Sequence, residues 1–369
     1  MAKAGETVLE IDLLALEHNY RFLKSKIDSN TKFLGVVKAF AYGSDSVAIA
    51  RKLEAIGADY LAVAYVSEGV ALREAGIKIP ILVLHPLPVS FENLIAYNLE
   101  PNIYSPKILA NFLEVAKSKG LKQYPIHLKF NTGLNRLGFT EHQINELCDV
   151  LSDQDEVEVV SVFSHLAASE DLSEREFTEN QITTFRNITN TLIPKLGKLP
   201  MLHLLNTSGI INYASAQFDM VRSGIGLYGF GNEAAIDKQL KPVATLKTVI
   251  SQIHTIEKGQ SIGYNRAYKA DEAVITATLP VGHADGIGRQ YGNGKAYVTI
   301  NGKKAPIVGN VCMDMIMVNV TGIDCSEGDE VVVFGANPTA EQFASGAKTI
   351  SYEILTGISQ RVTRVILDN

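Results

Sequence analysis

Eight short apolar runs punctuate the first two-thirds of the chain: residues 33–38 (FLGVVK), 60–66 (YLAVAYV), 80–85 (PILVLH), 99–104 (LEPNIY), 126–131 (IHLKFN), 157–165 (VEVVSVFSH), 201–206 (MLHLLN) and 220–227 (MVRSGIGL). Most are continuously apolar instead of alternating, the pattern of parallel strands covered on both faces. Amphipathic segments at 46–56, 67–75, 106–119, 140–151 and 173–192 lie between them and predict helices. Ser46 is placed to cap the first of these, and Pro106 takes the favoured opening position of another. Eight strand–helix units in series fit an α/β fold with a TIM-type (β/α)8 barrel of ~250 residues or a little fewer. A doubly wound open sheet fits the same pattern, because pattern alone does not count closure. Near Lys241 the texture changes. Segments 244–256, 272–280, 295–300, 305–308, 315–320 and 330–334 predict strands, several separated by Gly-Lys, Asn-Gly and Gly-Asp turns. The expected division is a barrel over 1–240 and a mostly β C-terminal domain over 241–369, ending in one helix near 352–358.

Composition narrows the function classes. At 369 residues the chain exceeds one ordinary domain of ~150. Hydrophobic residues at 46% and charged residues at 20% exclude a wholly disordered chain. The net charge of −6 offers no basic excess for a nucleic acid. The longest apolar stretches, such as 60–66 and 79–84, fall far short of the ~20 residues of a membrane helix. The N-terminal MAKAGETVLEIDL has no apolar core of signal-peptide length. Cys148, Cys312 and Cys325 are an odd number without CxxC spacing, so neither a disulfide scaffold nor a zinc ribbon is expected, and a reducing cytoplasm is.

In a barrel the working groups sit where strands run into βα loops. The first strand runs into Lys38. A lysine closing a buried strand either snorkels to solvent or is desolvated, with its pKa lowered toward a nucleophilic, Schiff-base-forming amine. Strands seven and eight run into Asn206-Thr207-Ser208-Gly209 and Ser223-Gly224-Ile225-Gly226. Small hydroxyl residues and glycines there suit a phosphate, which backbone N–H groups must approach closely. The literal GxGxxG at 224–229 is no dinucleotide fingerprint, since it closes the expected barrel and no helical pattern follows at once. Lys129, Arg136, His165 and Arg222 lie at or near other strand ends. A lone histidine in such a place is more often a satisfied core residue. Convergence of several polar groups on one barrel mouth favours a site. A metal centre from His283, Asp285, Cys312 and Asp314 is not expected, because no ligand spacing repeats.

Five motifs carry a resemblance. Val37-Lys38-Ala39-Phe40-Ala41-Tyr42-Gly43 resembles the lysine segment of fold-type III pyridoxal-phosphate enzymes, specifically alanine racemases. Residues 131–138 (NTGLNRLG), 222–225 (RSGI), 261–264 (SIGY) and 311–314 (VCMD) resemble four further signatures of that family, in order along nearly the whole chain. The resemblance implies pyridoxal 5'-phosphate as cofactor, alanine as substrate, a homodimer with shared active sites, and D-alanine supplied to peptidoglycan. It implies that Lys38 holds the cofactor covalently and serves as the base on one face of the substrate α-carbon, that for D-alanine. Tyr264 of the partner subunit would serve the opposite face, that for L-alanine. His165 would hydrogen-bond Tyr264, and Arg222 would face the pyridine nitrogen. Arg136, oriented by Lys129, would meet the substrate carboxylate; Lys129 is carbamylated in many relatives. Met313 would offer a backbone N–H to the same carboxylate, with Asp314 positioning its neighbours. Tyr42, Thr207, Ser208, Gly224 and Ile225 would form the phosphate cup, beside Asn206.

The chain departs from the family pattern at several places. Phe40 and Ser44-Asp45 replace the commoner Asn and His-Gly, and Gln360 replaces a phosphate-contacting tyrosine. His283 and Asn310 stand in the access channel for a tyrosine and an arginine, which bears on substrate range. Arg222 argues against a decarboxylase of the same fold type, where an acidic residue commonly keeps the ring nitrogen protonated. The β domain bearing Tyr264 argues against a non-enzymatic barrel protein that only binds the cofactor. A racemase of broader substrate range shares the same motifs.

Overall fold

In a computed structural model that describes residues 5–368, the predicted barrel is closed. The first strand of the chain, β1 (Val8–Asp12), stands outside it. The barrel strands are β2 (Lys32–Val36), β3 (Tyr60–Val63), β4 (Ile81–Val83), β5 (Glu100–Ile103), β6 (Tyr124–Lys129), β7 (Val157–Phe163), β8 (Met201–His203) and β9 (Met220–Ser223). Each pairs in parallel with the next, and β9 returns to β2 with Phe33 opposite Val221 and Gly35 opposite Ser223. The open doubly wound alternative is thereby excluded. All eight strands fall within or beside their predicted runs, and each ends earlier, because the chain turns as soon as polar or small residues reach the mouth.

The barrel helices follow the amphipathic segments, with one corrected cap. Asp45, not Ser46, caps the helix Ser46–Ala55; its carboxylate accepts from Ala48 N at 2.8 Å. The carboxylate one residue earlier reaches the third helical amide, where a capping acceptor is needed. Pro106 does open its helix (Pro106–Ser118), behind a Ser105 cap.

The remainder builds a nine-stranded sheet. Its order runs Gln252–Ile256, Val274–Leu279, Ile316–Asn319, Lys303–Val308, Tyr297–Ile300, Glu330–Phe334, Ala244–Val249, β1 and Thr363–Leu367. The single predicted run 244–256 is thus two strands. The chain does not end in the helix Ser351–Gly357; the edge strand Thr363–Leu367 follows it. β1 pairs antiparallel with Ala244–Val249 and parallel with Thr363–Leu367, so residues 8–12, assigned from sequence to the barrel half, are hydrogen-bonded into the second sheet.

The barrel lumen is unusually polar. Barrel interiors are commonly filled by Val, Ile and Leu, yet Asn102, His127, Ser161, His203 and Arg222 are all buried here. The Tyr60 and His127 rings meet edge-on at 6.0 Å although β3 and β6 are not neighbours, which places both on the inner face.

Candidate active site

Lys38 does not close the first barrel strand as expected. It stands two residues beyond β2, at the head of a turn in which Ala39, Phe40, Ala41 and Tyr42 all adopt left-handed backbone angles, with φ between 51° and 55°. Each such residue costs about 1–2 kcal/mol without a glycine's freedom, so the turn must be held from outside. Glu68 is the main clamp: its carboxylate accepts from Ala39 N at 2.6 Å, Ala64 N at 2.7 Å and Tyr65 N at 3.1 Å. At the far end Arg364 donates to the Gly43 carbonyl at 2.9 Å. Gly43 is required there, since φ is +79° and an added Cβ would lie 2.0 Å from the Leu355 carbonyl oxygen. Tyr42 is buried and stacks on Tyr228, with ring centroids 4.5 Å apart.

Tyr42 brings the turn against the end of β9. A Cβ at Gly224 would meet the Tyr42 hydroxyl at 2.1 Å, so only glycine admits this approach. Thr207 shares a 3.0 Å hydrogen bond with Ser223 and accepts from Gly226 N at 3.3 Å. Ser208 accepts from Asn232 at 3.2 Å, and Ile225 is buried beneath. Asn206 is occupied structurally: its side-chain oxygen accepts from Gly209 N and from the Ser169 hydroxyl. Gly224, after strand eight, therefore meets Tyr42, and Thr207, after strand seven, is tied to Ser223 and Gly226 beside it.

Four cations converge on this mouth. Burial and the Arg136 charge push the Lys38 ammonium below its ordinary range. Burial, then Arg136, Arg222 and Lys38, bring Lys129 down to about 8. His165 is held neutral, well below its ordinary range, by burial and by Arg222, Lys129, Arg136 and Lys38 together. Glu68 is the acidic group that opposes this field at Lys38. Mutual repulsion without matching carboxylates is the electrostatic signature of a site that takes an anion.

Arg222 is held on three sides. One terminal nitrogen donates to His203 Nδ1 at 2.7 Å; the other donates to the Ser164 and Leu204 carbonyls at 2.6 and 3.0 Å and to His165 Nδ1 at 3.2 Å. Burial lowers it to about 9, so it stays protonated at neutral pH. Its five N–H donors meet four protein acceptors, which leaves a donor for a ligand. Because His165 Nδ1 accepts from an arginine, the proton of the neutral ring sits on Nε2.

Tyr264, Met313 and Asp314 belong to the second unit. Tyr264 sits between the two-residue strands Ser261–Ile262 and Tyr268–Lys269 and is 71% exposed. Among the described residues no hydrogen bond joins it to His165 or to any barrel residue. Met313 is exposed. Asp314 and Asp285 both accept from Arg361, at 2.6 and 2.7 Å, which ties the loop carrying Met313 to the terminal segment. His283 and Gln360 are exposed, and Asn310 donates to the Tyr264 carbonyl at 3.2 Å.

Residues 11–231 match the family described as alanine racemase, N-terminal domain, and residues 243–366 its C-terminal domain. The chain belongs to the alanine racemase family. It is 36% identical to alanine racemase 1 of Clostridium acetobutylicum over 98% of its length and 95% of that protein's. It is 38% identical to an alanine racemase of Thermodesulfovibrio yellowstonii, covering 96% of each. Among solved structures, an alanine racemase of Clostridium difficile 630 superposes with a TM-score of 0.92 at 33% identity, over 100% and 97% of the two chains. One from Bartonella henselae with covalently bound pyridoxal phosphate superposes at 0.90 and 28% identity, over 99% and 100%. This protein is accordingly an amino-acid racemase. Among the described residues no helix is long and apolar enough to cross a membrane.

Sequence reasoning missed Glu68 and His203. Glu68 sits on a helical segment and carries no signal beyond an ordinary first-turn acid. His203 interrupts an apolar strand one residue in three, a cue that a polar partner lies within the lumen. The depressed lysines also make a test of their own. Lys129→Met should stabilise the cofactor-free protein to heat at pH 7, because a native pKa of about 8 against an ordinary 10.5 costs stability wherever both states are protonated. That cost is full below about 8 and is relieved as pH rises toward 10.5, so the gain should fade across that window. A Tm difference that stays constant with pH would show that Lys129 is not desolvated as described.

Proposed function

We propose that this enzyme interconverts L- and D-alanine with pyridoxal 5'-phosphate, using two bases from two subunits of a homodimer in the cytoplasm, and so supplies D-alanine for peptidoglycan. The observation that carries the reading is the mouth itself: a depressed lysine at the head of a clamped left-handed turn, facing cations that lack matching carboxylates. The residues fit the cofactor. Lys38 is the amine to hold it, the glycine-and-hydroxyl cradle of Tyr42, Thr207, Ser208, Gly224 and Ile225 is of the kind that takes a phosphate, and Arg222 has one donor left for the ring nitrogen. When bound, the cofactor supplies an electron sink beside the substrate α-carbon. An arginine does not readily give up its proton, so Arg222 would leave the ring nitrogen unprotonated and the sink weak, which favours racemisation over side reactions.

The chain's own groups divide the proton work. Lys38, with a lowered pKa, exchanges a proton on one face. The partner subunit's Tyr264 serves the other. His165, neutral with its proton on Nε2, is the donor proposed to favour the tyrosinate. Arg136, with Lys129 beside it, and the backbone N–H of Met313 orient the substrate carboxylate; Asp314, bound by Arg361, holds the Met313 loop. Exposed Phe40, Tyr65, Tyr264, Met313 and Met315 support the dimer, since large apolar side chains so open to water suit a surface covered by a second copy.

Purified protein loaded with pyridoxal phosphate should racemise alanine from either enantiomer, followed by chiral chromatography. Borohydride reduction and peptide mapping should place the pyridoxyl group on Lys38. A label on any other lysine sinks the reading.

A further inference from the structure

The polar lumen below the mouth contains a continuous line of hydrogen bonds that the reaction scheme above does not use. Arg222 contacts His203 Nδ1 at 2.7 Å; His203 Nε2 contacts Ser161 Oγ at 2.9 Å; Ser161 Oγ contacts His127 Nδ1 at 2.5 Å; and His127 Nε2 contacts Glu100 Oε2 at 2.7 Å. His127, Ser161 and His203 are wholly buried. The line crosses five adjacent strands, from β9 to β5, and links a cation to an anion.

Its proton positions follow from the two ends. A guanidinium only donates, so His203 Nδ1 accepts. His203 is kept neutral by burial and the Arg222 charge, so its proton is on Nε2 and points to Ser161. The Ser161 hydroxyl then has His127 Nδ1 as its acceptor, and His127 passes its Nε2–H to the Glu100 carboxylate. Were His127 a cation, both histidines would donate to Ser161, and the buried serine proton would be left without an acceptor, at a cost of about 1–3 kcal/mol. All four hydrogens therefore run one way, from Arg222 to Glu100, an order in which each bond polarises the next.

We infer that Glu100, His127 and Ser161 are positioning residues for the racemase, acting through the His203 ring to fix where and how Arg222 presents its charge. Ring orientation is the means. With Nε2 committed to Ser161, His203 turns a lone pair toward Arg222. Released from Ser161, it is free to take the other tautomer and set an N–H against the guanidinium. No carboxylate pairs directly with Arg222 among the described residues. Glu100 lies three groups away, so the chain ties Arg222 to an anion without neutralising it at the mouth. Phe163 stacks on His203 with ring centroids 4.7 Å apart and leaves it little room to tilt.

The inference rests on the reading of Arg222 as the group that faces the cofactor ring, but its first test does not. In full-length protein without cofactor, nitrogen-15 histidine NMR should show His203 and His127 both neutral and protonated at Nε2. Ser161→Ala removes one buried oxygen, and His203 should lose its single tautomer; Ser161→Thr, which restores a hydroxyl, should return it. Either histidine protonated at Nδ1 in the wild type overturns the chain, whatever the enzyme does. In the loaded enzyme Ser161→Ala should lower kcat roughly fivefold, the equivalent of ~1 kcal/mol for one net hydrogen bond. KM for alanine should hold, while the visible band of the bound cofactor shifts. An altered tautomer with kcat and the band unchanged would overturn the positioning role. Intact tautomers together with a pyridoxyl label away from Lys38 would instead leave the chain standing and remove the reading of the site.

Discussion

Lys38→Ala should abolish alanine racemisation in both directions and leave the fold at least as stable as before. The activity loss should reach or pass the upper end of the ~10²–10⁴ typical of losing a general acid–base group, because the same amine would also hold the cofactor. Stability should not fall with it. The ammonium sits partly buried beside Arg136, and both effects disfavour its charged form in the native state. Alanine removes that penalty at neutral pH. As pH climbs toward the ordinary lysine value of 10.5, the native ammonium discharges before the unfolded one and the wild type recovers the difference. Thermal unfolding against pH, measured beside a chiral activity assay, checks both halves. A variant that is inactive because it is unfolded at pH 7 would show that Lys38 builds the turn, not the chemistry.

Tyr264→Phe should split the two enantiomers. The side chain is 71% exposed and makes no hydrogen bond that joins it to the barrel, so losing its hydroxyl should not disturb packing or cofactor binding. In deuterated water the variant should still exchange the α-proton of D-alanine on the Lys38 face, returning the label to that same face. Exchange from L-alanine should fall by ~10²–10⁴. Equal loss from both, with the cofactor's visible band preserved, would refute the assignment of faces and favour one shuttling base.

Much of this was legible because burial dictates pattern. Strands covered on both faces must be apolar throughout, and the eight runs declare themselves for that reason. Residues that meet at a barrel mouth come from strand ends, so Lys38, Arg136, His165 and Arg222 were visible once the strands were. β1 and Thr363–Leu367 were not, because short half-covered strands look like loops until a partner is known. Nor was the left-handed turn legible, as Ala39, Phe40 and Ala41 have no preference for it; Glu68 and Arg364 impose it from elsewhere. The lumen chain was hidden for a further reason. Its members recur at no fixed spacing, one to a strand, and only closure of the barrel lines them up.

The pairing of β1 with Thr363–Leu367 gives the chain an awkward birth. Val8 is laid parallel to Thr363, its neighbour in space and nearly its opposite in sequence. On the ribosome β1 is made long before either neighbour; Ala244–Val249 can cover one edge, and the other keeps open backbone groups until Thr363–Leu367 follows. Contacts so distant carry a large loop-closure cost and form late. The barrel has all its strands well before then and needs none of the final residues to close. A nascent chain halted before residue 363 should therefore hold a finished barrel with one edge of β1 still open to chaperones and proteases, and arrival of Thr363–Leu367 would be the event that seals it.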